Sequence, residues 1–229
     1  MARKIMTEQK KKKKSIKKII LAIFTIALLV FIGLVIAGAL HKGPLKGWFK
    51  KKGNAPVEVV ILDEVKDYGY QISDRDSAYF KEEFGKLKEI INAKEFDESK
   101  YAEYVARMFV NDLYTMSTKV NKYDVGGIEY YHVDDLDDFT KSVMDTLYKT
   151  MLDDTYGTRE QKLPEVKSME TVSVTETTYK LGSNPVKAYQ VKLKWTYVND
   201  MGYDSEGTVI VVQQNDSEKW AVVDYQNKL

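Results

Sequence analysis

Two histidines and no cysteine stand in this 229-residue chain, which narrows its catalytic repertoire at once. Without cysteine there is no thiol nucleophile, disulfide staple, cysteine-ligated zinc or iron–sulfur centre, or lipidated cysteine. His41 follows directly on a long apolar run, an improbable place for catalysis. His132 is followed by Asp134, Asp135, Asp137 and Asp138. A histidine among carboxylates reads as a general base or a metal ligand. The same residues also read as a solvated acidic cluster capping a helix beside an ordinary, partly buried histidine. A calcium loop is disfavoured, because the central glycine and closing glutamate of that motif are missing. The expectation is a chain with no catalytic centre, no cofactor and no metal.

Asp124-Val125-Gly126-Gly127 is the local motif hardest to explain. Paired glycines can cradle an anion on free backbone amides, or simply let the chain turn tightly. No Lys-Ser or Lys-Thr follows, so this is not a nucleotide-binding loop. Asn215-Asp216-Ser217 matches a glycosylation sequon and equally suits a turn. Tyr189, Trp195, Tyr197 and Trp220 fall on strands that face a core; Tyr189, Trp195 and Trp220 are the candidate lining of a ligand pocket, with core packing the plainer explanation. Sixteen tyrosines exceed what one core needs, and tyrosine is enriched where protein surfaces meet. Tyr197 and Tyr203 are the candidate protein-interaction residues.

What positions these residues begins with the membrane. Ile19–Leu40 contains a single polar side chain, Thr25. A helix needs roughly 20 apolar residues to cross the hydrocarbon core, so residues 19–40 read as one transmembrane helix. Residues 1–18 carry Arg3, Lys4, Lys10 to Lys14, Lys17 and Lys18 against Glu8 alone; Lys42, Lys46 and Lys50 to Lys52 follow the span. The heavier basic flank stays in the cytoplasm, which sets the domain outside it. Ala37-Gly38-Ala39 would suit signal cleavage, but the apolar run is long for a signal peptide. The lysine tail also attracts anionic inner-leaflet lipid.

Residues 1–52 hold fourteen basic residues and one acid, which leaves 21 basic and 33 acidic residues beyond them, a net charge of −12. Such a domain repels nucleic acid and anionic membrane. Residues 41–56, with Gly43-Pro44 and Gly53 to Pro56, read as a linker. Residues 57–229 then have the length of one domain.

Within it, Val57–Leu62 reads as an extended segment or edge strand. Ser73 and Asp76 form a capping box, and Phe80, Phe84, Leu87 and Ile91 mark the buried stripe of a first helix. Asp97 caps a second helix, stapled by Phe96 and Tyr101, with Val105, Met108, Phe109, Leu113 and Met116 along one face. Ile128–Val133 reads as a short strand. Leu136, Phe139, Val143, Leu147 and Met151 mark a third helix. From Val166 the apolar period shortens to two: strands are expected around Val172–Val174, Tyr189–Tyr197, Thr208–Val212 and Trp220–Tyr225, joined by short polar links that favour antiparallel neighbours. The fold class is α+β, three helices against a curved antiparallel sheet.

This order of elements across Ser73–Leu229 resembles the nuclear-transport-factor-2-like fold, in which a bent sheet wraps its helices. With a short cytoplasmic tail and one span in front, the layout also resembles the membrane-anchored assembly protein of type IV secretion and conjugation systems. The resemblance covers architecture and carries no site residue across. It implies a non-enzymatic scaffold in the cell membrane, with other envelope-complex membrane proteins or a second copy of itself as partners. A small-molecule sensor is the alternative, and a pocket enzyme using His132 is a further one.

Overall fold

The computed structural model describes residues 56–214 and 217–227. The basic tail, the apolar run 19–40, the linker up to residue 55 and the Asn215-Asp216 part of the sequon lie outside the described residues. Among the described residues no helix is long and apolar enough to cross a membrane.

The domain opens with a hairpin of β1 (Ile61–Val65) and β2 (Tyr70–Ser73). A 3-10 turn at Lys66–Tyr68 reverses the chain, and Gly69 ends it at φ 66°, a conformation that favours glycine. Strand β2 turns Tyr70 and Ile72 into the core, whereas β1 stays largely exposed. Val57–Leu62 is thus extended as expected, with the regular strand displaced toward Val65. Its partner β2 is an addition that the sequence reading lacked.

Helix α1 (Ala78–Ile91) starts at Ser77, whose hydroxyl accepts the Phe80 amide at 3.1 Å. The Ser73–Asp76 pair is made, since both the amide and the hydroxyl of Ser73 donate to the Asp76 carboxylate. It closes a turn ahead of the helix, however, and Ser77 is the true cap. Helix α2 (Glu98–Tyr114) starts as read: Asp97 accepts the Lys100 amide, and the Phe96 and Tyr101 rings meet at 5.6 Å. Ile128–Val133 is not a strand. It forms 3-10 turns at Ile128–Tyr130 and Val133–Asp135, with one bridge from Tyr131 to Val222. Helix α3 (Leu136–Asp145) is shorter than its apolar period implies. Beyond it Tyr148 turns inward, and its hydroxyl donates to the Leu113 carbonyl at 2.8 Å.

The remainder is an antiparallel meander of β3 (Val166–Leu181), β4 (Asn184–Tyr197), β5 (Glu206–Gln213) and β6 (Trp220–Asn227), in that spatial order. The fold is mixed α+β, with three helices and an antiparallel sheet. The helices do not share the sheet equally. Helix α2 lies across all four strands; α1 packs on α2 and reaches the sheet at β3. Burial explains why: on α2 the buried set runs almost all the way round, including Tyr101, Ala102, Val105, Ala106, Met108, Phe109 and Val110. A helix buried on nearly every side, here with Arg107 and Asn111 among the buried residues, lies in the middle of a core. Phe109 meets Tyr131, Phe139 and Tyr225 at ring distances near 5.6–5.8 Å.

Candidate functional site

One of several concavities of the domain, and the one richest in charged side chains, is a cleft of about 220 Å³ between the first hairpin, the end of α2 and the loop that follows it. Val59, Ile61, Phe80, Val125 and Ile128 form apolar walls; Arg75, Asp76, Asp112, Lys119, Asp124 and Glu129 bring charge to it.

The loop is pressed onto α2 by its two glycines. A β-carbon on Gly126 would come within 2.1 Å of the Asp112 carbonyl oxygen. Gly127 takes φ 84°, and a β-carbon there would meet the Phe109 ring. Both amides are used. Gly127 donates to Asp112 Oδ2 at 2.6 Å, and Gly126 donates to the Tyr148 hydroxyl at 3.3 Å. Neither amide is left free for an outside anion. One holds the protein's own Asp112 carboxylate and the other a tyrosine hydroxyl, and the tight-turn reading of the motif is the one that applies. Asp112 holds Lys119 with its other oxygen. Burial disfavours the Lys119 ammonium, yet the Asp112 carboxylate outweighs it and raises its pKa. Two arginines pin the same loop from outside. Arg75 donates to the Thr118 carbonyl at 2.9 Å, and Arg159 donates to the carbonyls of Lys119 and Ser117 at 2.9 and 3.0 Å. Arg75 also faces Asp154 at 3.6 Å.

Glu129 stands on the far wall, where Oε2 accepts the Gln71 amide at 3.1 Å. Burial pushes its carboxyl up to about 7; the charge of Asp112 adds to the rise, and the Gln71 amide opposes it. A carboxyl titrating near neutrality in a cleft is suited to proton exchange or to cation binding. Beneath it Tyr130 is wholly buried, and its hydroxyl has no hydrogen-bond partner. Among the described residues no three of His, Cys, Asp and Glu are placed to hold a metal ion together.

His132 lies outside this cleft. It is wholly buried; its backbone amide donates to the Val222 carbonyl at 2.8 Å, and Nδ1 accepts the Asp134 amide at 3.3 Å. Nε2 has no partner. Asp134, Asp135, Asp137 and Asp138 are all exposed. Of the four, Asp134 brings its carboxylate to 3.8 Å from Nδ1, and the others do not join it around the imidazole as a catalytic or metal group would. This histidine anchors a loop to β6.

The aromatic candidates separate into two clusters. Tyr189 and Trp220 meet at 5.2 Å at one end of the sheet. Trp195 instead packs on Tyr114 of α2 at 5.2 Å and donates its indole N–H to Tyr197 at 2.8 Å. All three of Tyr189, Trp195 and Trp220 are buried against protein, and the structure brings them around no common cavity. Tyr197 and Tyr203, read as surface contacts, are half-buried and packed together at 6.5 Å. The Tyr197 hydroxyl is spent on the Asp204 carbonyl. Burial is also what pushes its pKa far up.

Sequence reasoning missed Asp112, Lys119, Gln71 and Glu129. Only Gly126-Gly127 signalled them, as a backbone approach with an unnamed partner. Comparison with known protein families, with characterised proteins and with solved structures finds no match to this chain.

Proposed function

We propose that this chain is a single-pass, membrane-anchored and non-enzymatic assembly subunit of a cell-envelope complex. In this reading residues 1–18 lie in the cytoplasm against anionic lipid, residues 19–40 span the cell membrane, and residues 57–229 form a nuclear-transport-factor-2-like domain outside. A type IV secretion or conjugation machine is the kind of complex that this layout suits.

The observation that carries the proposal is the exposed apolar stretch at the start of the domain. Val57, Val59, Val60, Ile61 and Leu62 are all exposed, Val60 and Leu62 by half or more. A contiguous apolar patch on a folded domain marks a contact surface far more often than does a lone exposed side chain. Strand β1 pairs with β2 alone among the described strands, so its outer edge is open to a strand from a partner or a second copy. This stretch replaces Tyr197 and Tyr203 as the expected contact. The interior supports the same reading. Tyr101, Met108, Phe109, Tyr114, Leu193 and Trp195 fill the space between α2 and the sheet, where an enzyme of this layout would hold a substrate. The rival pocket enzyme gains nothing from a histidine as buried as His132.

The test is crosslinking in intact cells, purification through a C-terminal tag, and mass spectrometry of what is recovered. Envelope-complex subunits or a crosslinked second copy should come with the wild type and be lost from a Val60→Lys, Leu62→Lys chain that melts normally. Undiminished recovery with that chain, or recovery of the wild type alone, would overturn the proposal.

A further inference from the structure

We propose that the outer edge of β3 between Thr175 and Leu181 pairs with the same edge of a second copy of this chain. The two strands run antiparallel about a twofold axis at Thr178. This surface is distinct from the Val57–Leu62 stretch, and the pairing does not depend on the membrane-anchored reading.

The edge stands out because the other borders of the four-stranded sheet carry guards. On the β6 side, Tyr131 forms a bridge to Val222, and the His132 amide donates to the Val222 carbonyl. Strand β5 follows β4 only as far as Ala188, so the hairpin of residues 175–181 and 184–187 projects beyond it. The β4 edge of that hairpin carries Pro185 and Lys187, residue types that discourage strand addition. Its β3 edge holds Thr175, Thr177 and Thr178, β-branched residues that suit a strand, and no proline. Thr175 to Thr178 and Lys180 are all exposed. Nearer Val166 the same edge is shut by Arg107, which donates to the Met169 carbonyl at 3.3 Å.

Backbone alternation sets the geometry. Leu181 and Asn184 close a two-residue turn with Gly182 at φ 59°, and residues at such a closure exchange both hydrogen bonds. Pairing is unbroken from there to Val174, so the amides and carbonyls of Lys180, Thr178, Glu176 and Val174 point away from β4. Such a row is a template for another strand. The charges then select the register. With the axis at Thr178, Glu176 of each copy faces Lys180 of the other, and Tyr179 faces Thr177. An axis at Glu176 or at Lys180 would instead set like charges opposite each other, which destabilises a strand pair. A surface complementary to itself is what a twofold interface requires, and it favours a second copy over an unrelated strand. The strand is short against the roughly 20–30 residues a side of a standard interface, so the dimer should be reversible.

The chain has no cysteine, so single cysteines report the contact. The experiment is mild oxidation of the full chain in a non-ionic detergent, carrying either Thr178→Cys or Thr175→Cys. Thr178→Cys sets two thiols across the axis and should form a disulfide-linked dimer. Thr175→Cys leaves its thiols about 20 Å apart at the rise of a strand and should cross-link at least tenfold more slowly. Analytical ultracentrifugation of cysteine-free chains gives a second readout. Glu176→Lys and Lys180→Glu should each weaken the dimer at least tenfold, and their combination should restore it. Thr178→Pro removes the central amide without taking a bond from β4, and should abolish the dimer in a chain that still folds. A copy held through β3 persists in the Val60→Lys, Leu62→Lys chain, so that variant is read for other subunits and Thr178→Pro for the copy. A Thr178→Cys chain that stays monomeric or cross-links no faster than Thr175→Cys would overturn the proposal and leave the edge to a partner of another kind. So would a charge combination that restores nothing.

Discussion

Helix α2 carries two buried ion pairs one and a half turns apart, and they have opposite surroundings. Arg107 meets Glu83 of α1 with its Nε at 2.6 Å, and its remaining nitrogens reach the Tyr79 hydroxyl, the Thr171 hydroxyl and the Met169 carbonyl at 3.1–3.3 Å. Burial opposes the Arg107 charge, and Glu83 raises its pKa in spite of it. Every donor is matched and no solvent reaches the glutamate. Asp112 and Lys119 are built from the same kinds of group, yet they open on a cleft with another carboxyl, Glu129, across from them. The first arrangement locks α1, α2 and β3 together. The second leaves its charges facing an open cleft. Ion pairing in this domain is thus closed on all sides in one case and open on one side in the other.

The comparison can be broken most severely at its closed member. Arg107→Met leaves the buried Glu83 carboxylate with Lys86 alone as its cation. Breaking a buried pair costs up to about 3–5 kcal/mol, and urea unfolding should show the largest loss of the series. Gly126→Ala attacks the scaffold of the open member, where a methyl group meets the Asp112 carbonyl. Overpacking of this kind costs about 1–3 kcal/mol, so a lowered urea midpoint with an unchanged slope is expected.

Glu129→Gln sharpens the contrast through pH. The folded-state pKa of Glu129 is raised from 4.5 to about 7, so the folded chain holds this proton more tightly than the unfolded one. The resulting stability is complete below about pH 4.5 and is lost as the pH rises through about 7. The wild-type melting temperature should therefore carry a downward contribution from pH 5 to pH 8 that the glutamine variant lacks. Parallel curves for the two proteins would remove Glu129 from the account. Lys86→Ala gives the smallest effect. Lys86 touches Glu83 at 2.9 Å from a solvent-exposed position, and with Arg107 still in place its loss should cost less than about 1 kcal/mol.

The parts of the molecule legible in its sequence are those where a single element buries a periodic face. The alternation Tyr189, Val191, Leu193, Trp195 announces β4, and the Asp97 cap with its Phe96–Tyr101 staple announces α2. Where two neighbouring signals competed, the chain chose the one that tertiary contacts rewarded. Ser77 caps α1 in preference to Ser73 because Ser73 ends β2 and already closes the turn before the helix onto Asp76. Tyr148 ends the period of α3 because its hydroxyl is wanted by Leu113 and Gly126. Tyr70 and Ile72 passed unread as a strand, being too short a run to show a period and preceded by a glycine that looked only like punctuation. The cleft was illegible for a different reason. Its walls come from Val59, Gln71, Asp112, Lys119 and Glu129, which no local window contains. Only their meeting in space raises the pKa of Glu129 or isolates Tyr130.

The hydrogen bond from the Tyr70 hydroxyl to the Trp220 carbonyl, at 3.1 Å, joins residues 150 positions apart. Beside it the Tyr68 hydroxyl reaches Glu218, equally distant in the chain, and His132 is tied to Val222. The last strand therefore completes the seat of the first hairpin. Loops this long must be closed before their contacts give anything back, and domains dominated by such contacts fold in milliseconds to seconds. The hairpin's other anchors are on the helices, Asp63 to Lys88 of α1 at 2.6 Å and Tyr70 to Tyr101 of α2 at 3.0 Å. A kinetic probe at Tyr70 is therefore expected to register the seating of the hairpin late, after the meander of β3 to β6 has assembled.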